Sequence, residues 1–159
     1  MHRIGKALKN TFKILALGDV VGPRAVEYLS KNLWKIRKNH KIDMVIANGE
    51  NSAEPNGIDK TSARALFDSG VDVITTGNHV FRKTSVFSYL DDEENILRPL
   101  NFPSECPGHG DTIIKINGYK ILVLNVSPDI FYILNSTYNP YNLPLDNHKI
   151  IVHLHRQLI

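Results

Sequence analysis

Thr76-Gly77-Asn78-His79 sets an amide beside an imidazole straight after a glycine, and the apolar run Val71-Asp72-Val73-Ile74 leads into it. Two earlier stretches share this grammar: Gly18-Asp19 after Ile14-Leu15-Ala16-Leu17, and Gly49-Glu50-Asn51 after Met44-Val45-Ile46-Ala47. Each is a strand of the buried type, then a glycine, then oxygen or nitrogen donors. Ligands of open α/β sheets bind beyond the carboxyl ends of the strands. If these strands are neighbours, Asp19, Glu50, Asn51, Asn78 and His79 meet on one rim. Two carboxylates, two amide oxygens and an imidazole form a fairly hard donor set, suited to manganese, iron or zinc. Glu50 has two oxygens and can bridge two ions. Two ions roughly 3.5–4 Å apart would clamp and polarise a phosphate and generate hydroxide near neutral pH.

Each residue also has a plainer reading. Asp19 and Asn78 could cap helices, Glu50-Asn51 could be loop residues, and a lone His79 could be structural. Three consecutive strands ending in the same grammar favour the metal site. A nucleotide is the rival ligand, but Gly18-Asp19-Val20-Val21-Gly22 lacks the Walker lysine and the G-x-G-x-x-G spacing. It also places an acid where a phosphate would sit.

The elements that must position these residues follow in order. Lys13–Leu17 predicts a first strand, buried on both faces as in a parallel sheet. Pro23 suits the first turn of a helix whose stripe is Val26, Leu29, Leu33 and Ile36, with Trp34 half exposed. Ile42–Ala47 predicts strand two. A helix near Asp59–Ser69 follows, capped by Asp59 or Thr61, with Ala63, Leu66 and Phe67 inward and Gly70 past its end. Val71–Thr75 predicts strand three, and Lys83–Asp92 a third helix with Thr84 as its cap. Arg98-Pro99-Leu100-Asn101-Phe102-Pro103 reads as extended because of its prolines. Thr112–Ile116, Asn117-Gly118 and Tyr119–Asn125 predict a β-hairpin with a type I′ turn. Residues 128–148 show no clean period, and Ile150-Ile151-Val152 is a last apolar run. The fold class is α/β: a layered sheet with a βαβαβ N-terminal half and a β-hairpin, incomplete at the C-terminal end.

The 159 residues fit one ordinary domain, and 42% hydrophobic with 22% charged residues excludes a disordered chain. The net charge is +3, with basic clusters at His2–Lys13 and at Lys31, Lys35, Arg37, Lys38 and Lys41. These read as a solvated helix face, or as a surface for a polyanion. A single cysteine, Cys106, excludes an internal disulfide and fits a reducing compartment. No secretory signal and no run of ~20 apolar residues is present. The expected location is cytoplasmic, with no membrane partner.

At these motifs the sequence resembles the YmdB-like metallophosphoesterases, dinuclear-metal phosphodiesterases of the calcineurin-like superfamily active on 2′,3′-cyclic nucleotides. Gly18–Gly22, Ile46–Asn51 and Gly70–His79 carry the resemblance, and Arg98-Pro99, Asn101-Phe102-Pro103 and Ile116-Asn117-Gly118 extend it over about residues 13–126. The resemblance implies two divalent metal ions, iron with manganese or zinc as substitutes. Asp19 and Asn51 would hold the first, Glu50 would bridge both, and Asn78 would hold the second. It makes His79 the proton donor to the leaving oxygen, with hydroxide attacking phosphorus in line and opening the cyclic phosphate to a 3′-phosphomonoester.

In the family a later apolar strand ends in an Asp-aromatic-His-Ala-Glu motif. Ile151-Val152-His153-Leu154-His155 aligns with it and places His155 at a metal-ligand position, with His153 for Asp and Arg156-Gln157 for Ala-Glu. A further Gly-Thr-His-Thr-His motif has no counterpart, and 127–150 lacks the helix expected before the strand. The expected organisation is an extension, 1–12, and a metallophosphoesterase domain, 13–159, that is an N-terminal portion without the C-terminal ligand motifs.

Three functions follow. The first is a metal-dependent phosphodiesterase acting on 2′,3′-cyclic nucleotides or RNA-end phosphates. The second is a truncated, inactive remnant with at most weak metal binding, pairing with other copies through an open sheet edge. The third is an RNA-binding module using Lys35, Arg37 and Lys38.

Overall fold

Strand β2 (Met44–Asn48) lies at the centre of the packing, because its two faces meet different partners. Val45 and Ala47 point into a cluster with Leu29, Leu33, Ala63, Leu66 and Ile74, under the helices. Met44 and Ile46 point the other way, into a cluster with Val73, Leu97, Ile121 and Val123. Every residue of the strand is buried, which explains its unbroken apolar sequence.

A computed structural model describes residues 11–127 and 148–154. Around β2 run β1 (Ile14–Asp19), β3 (Val73–Thr75) and β4 (Ile96–Leu97), all parallel, in the order β1-β2-β3-β4. Helices α1 (Gly22–His40) and α2 (Lys60–Asp68) make the first two crossovers. A 3₁₀ turn, Thr84–Val86, runs into α3 (Phe87–Asp92) before β4. A second sheet, β5-β6-β7, joins β5 (Asp111–Ile116) antiparallel to β6 (Tyr119–Val126) and β6 parallel to β7 (His148–Leu154). The α/β class with a separate hairpin is as expected. None of the described helices is long and apolar enough to cross a membrane.

Local chemistry accounts for the element ends. Pro23 occupies the first turn of α1, and Val26, Leu29 and Leu33 form its buried stripe. Asp59 caps α2: its side chain accepts from Ser62 N at 2.9 Å while Ser62 Oγ accepts from Asp59 N at 3.2 Å. Asp59→Ala should therefore cost about 1 kcal/mol of stability, read as a lower urea midpoint with an unchanged slope. Asn117 and Gly118 both have positive φ, 52° and 86°, as a type I′ turn requires. Asn117 Nδ2 also donates to Asp43 Oδ1 at 2.9 Å, tying the hairpin to the start of β2.

Four expectations need correction. Strand β1 is not buried on both faces: among the described residues it is an edge strand, with Ile14 38% exposed and Ala16 and Asp19 also exposed. Only β2 pairs with it among the described residues, so its apolar run lacks the cover a central strand would have. The third helix is divided, and Lys83 rather than Thr84 occupies the N-cap position of its first part. Arg98–Pro103 is extended only at its start, because Phe102 N donates to Pro99 O in a turn. Arg37 does not belong to a solvated basic face. It donates to Gly70 O and Asp43 O, pairs with Asp72 at 2.9 Å and lies 5.2 Å from the Trp34 ring. The two-residue β4 was not anticipated. Residues 1–10, 128–147 and 155–159, including His155, lie outside the described residues.

Candidate functional site

The carboxyl ends of β1, β2 and β3 lie side by side, and short backbone bonds lock the turns beyond them together. Val20 N donates to Asn48 O, Gly22 N to Asn51 O and Gly49 N to Thr75 O, each at 2.9 Å. A Cβ on Gly49 would stand 2.8 Å from Ile74 Cγ2 and 3.0 Å from Leu66 Cδ1, so only glycine lets the chain turn this close to β3. Asn48 Oδ1 then accepts from Glu50 N at 3.0 Å, holding the start of the turn.

Four of the anticipated residues form one bonded series. Asn51 Nδ2 donates to both oxygens of Asp19, at 3.1 and 2.9 Å. Asn51 Oδ1 lies 2.7 Å from His79 Nδ1. His79 N donates to Glu50 Oε2 at 3.2 Å. The NH₂ of Asn51 faces Asp19, and its oxygen faces the imidazole. Asn78 is exposed beside His79 and stands outside this series of bonds.

Burial separates the two carboxylates. Glu50 is fully buried and Asp19 is exposed at the sheet edge. Among the described residues no three His, Cys, Asp or Glu side chains form a metal-binding group. A cation here would therefore rest on Asp19 and Glu50 together with the amide oxygens of Asn51 and Asn78. That all-oxygen set fits a hard divalent ion.

Polar residues that the sequence reading did not weigh support the rim. Thr76, immediately before Gly77-Asn78-His79, donates to Leu97 O through both N (3.0 Å) and Oγ1 (2.8 Å). Asn125, buried at the end of β6, donates through Nδ2 to Thr76 O at 2.7 Å and to Leu97 O at 2.8 Å. Asn101 and Ser127 bond each other through the Asn101 amide, at 2.7 and 3.1 Å. The signal for Asn125 was present: an amide closing the apolar run Ile121–Leu124, much as Asn48 closes β2.

This arrangement defines an α/β protein with oxygen donors gathered at the carboxyl ends of parallel strands. The chain belongs to the YmdB-like protein family, which it matches over residues 15–157. It is 38% identical over 119 residues to a 2′,3′-cyclic-nucleotide 2′-phosphodiesterase of Bacillus subtilis (strain 168), covering 75% of this chain and 45% of that protein. Among solved structures, a novel phosphatase from Mycoplasma pneumoniae superposes with a TM-score of 0.74 at 26% identity, covering 92% of this chain and 57% of the other. A hypothetical protein from Thermus thermophilus gives 0.72 at 31% identity, covering 90% and 58%. The chain thus spans about half the length of these relatives.

Proposed function

We propose that this chain carries part of a metal-dependent phosphodiesterase site that opens 2′,3′-cyclic nucleotides or RNA-end phosphates. The bonded series Asp19–Asn51–His79–Glu50 across three strand ends is the observation that supports it most directly. The name of the Bacillus subtilis relative supports the substrate class. Two divalent ions, iron with manganese or zinc as alternatives, would supply Lewis acidity toward the phosphoryl oxygens and a nucleophile at neutral pH.

This chain's residues have distinct tasks in that reading. Asp19, Asn51, Glu50 and Asn78 would hold the two ions, with His155 as a further ligand. His79 delivers a proton to the leaving oxygen. Asn51 occupies its Nδ1, which leaves Nε2 as the nitrogen open to the leaving oxygen.

The test is hydrolysis of 2′,3′-cyclic AMP by this chain with Mn²⁺ or Fe²⁺, beside Asp19→Ala. Losing even an outer-shell partner costs ~10–100-fold, so loss of a ligand should lower the rate by about 100-fold. Equal rates in the two proteins would sink the reading. The inactive-remnant reading draws its support from the sequence, where His153 and Arg156-Gln157 depart from the family's late strand motif. Elemental analysis separates the two, since two tightly held ions per chain contradict a remnant.

A further inference from the structure

We infer that Asn125 is a positioning residue for the Asn78-His79 loop, acting from the second sheet through the Thr76 carbonyl. The inference rests on the reading of Asn78 and His79 as site residues. Its basis is the set of bonds that converge on one fully buried side chain.

Asn125 ends an otherwise apolar run on β6, where an amide is costly to bury. Its Oδ1 has no partner among the described residues, so its NH₂ makes the bonds that hold it. Its NH₂ faces two carbonyl oxygens, Thr76 O at 2.7 Å and Leu97 O at 2.8 Å. Two acceptors on one side dictate the orientation of the amide, since its oxygen there would repel both. Its main chain is held just as firmly: Asn125 N donates to Gly110 O at 3.0 Å, and Asn125 O accepts from Leu100 N at 2.7 Å. The side chain is thus a fixed strut between the two sheets.

The far end of that strut is the last carbonyl before Gly77. Beyond it the backbone leaves β3 and turns, with Val80 N donating to Gly77 O at 3.2 Å and Arg82 N to His79 O at 3.1 Å. His79 N donates to Glu50 in the same turn. The orientation of the Thr76 peptide sets the direction in which this loop departs. Thr76 N and Oγ1 fix its first half to Leu97 O, and Asn125 fixes its carbonyl. An apolar residue at 125 would leave the Thr76 carbonyl buried without this donor and free the peptide to rotate.

Amide hydrogen exchange and Mn²⁺ titration of the full chain test the inference in wild type, Asn125→Ala and Asn125→Ser. The expected result is exchange at His79, Val80 and Arg82 faster by about tenfold or more, with α1 and β2 amides unchanged. The His79 ring ¹⁵N signals should shift, and Mn²⁺ affinity should fall by ~10–100-fold, as for outer-shell partners. Acceleration spread evenly over the chain, or none at the loop, would overturn it, because the residue would then be merely structural. If neither variant folds, native-state exchange of the wild type in rising denaturant decides. The loop amides should open in one step with β6, and a loop that opens while β6 stays protected would refute the link. Absence of Mn²⁺ binding by the wild type would count against the phosphodiesterase reading alone, and the exchange data would still judge Asn125.

Discussion

Gly110→Ala should destabilise the protein by about 3 kcal/mol, the upper end of what overpacking a core costs. A Cβ at Gly110 would lie 2.5 Å from Leu100 Cα, 2.5 Å from Leu100 Cδ1 and 2.8 Å from Leu100 Cβ. A flexible side-chain tip could swing away, but a Cα can move only with its backbone. That backbone is held on both sides: Leu100 N donates to Asn125 O, and Asn125 N donates to Gly110 O. Arg98 N also bonds His109 O at 2.8 Å. Relief of the clash would therefore pull on the junction of the two sheets. Gly18→Ala is the control, because nothing lies within 4 Å of its Cβ position. That change should stay within about 0.5 kcal/mol of wild type. Urea unfolding of both variants is the measurement, and equal midpoints would show that the Gly110 contact is readily relieved.

The order of strands and helices was legible because each has its own period and its own end signals. Val26, Leu29 and Leu33 recur at helical spacing, Pro23 and Asp59 mark helix starts, and Asn117-Gly118 dictates a hairpin. The gathering of Asp19, Glu50, Asn51 and His79 at neighbouring strand ends was legible for the same reason, since parallel strands joined by right-handed crossovers put all their carboxyl ends on one rim. What stayed hidden depends on tertiary neighbours. The run Ile14–Leu17 has the composition of a covered strand, yet nothing in it states whether a second strand lies alongside. Two residues, Ile96 and Leu97, are too few to show a period. Arg37 looks like one more charge in a basic cluster until Asp72 and two carbonyls appear around it. Asn125 acts on a carbonyl 49 positions away in sequence, a relation that no local pattern encodes.

Glu50→Gln should abolish stabilisation by metal. Glu50 is fully buried, and removing an ionised carboxylate from water carries a penalty of several kcal/mol even after relaxation. The His79 backbone N–H donates to this carboxylate, and a glutamine carbonyl can accept the same bond at the same place. Glutamine therefore keeps the shape and the hydrogen bond but removes the charge that a cation would answer. Mn²⁺ at 100 times its dissociation constant should stabilise the wild type by about 2.7 kcal/mol. In Glu50→Gln that increment should vanish. Equal stabilisation of both proteins by Mn²⁺ would remove Glu50 from the ligand set. A large loss of stability in the chelated variant would mean instead that the carboxylate is held by the protein's own donors. The two outcomes separate a residue retained for a cation from one retained for the fold, which burial alone does not do.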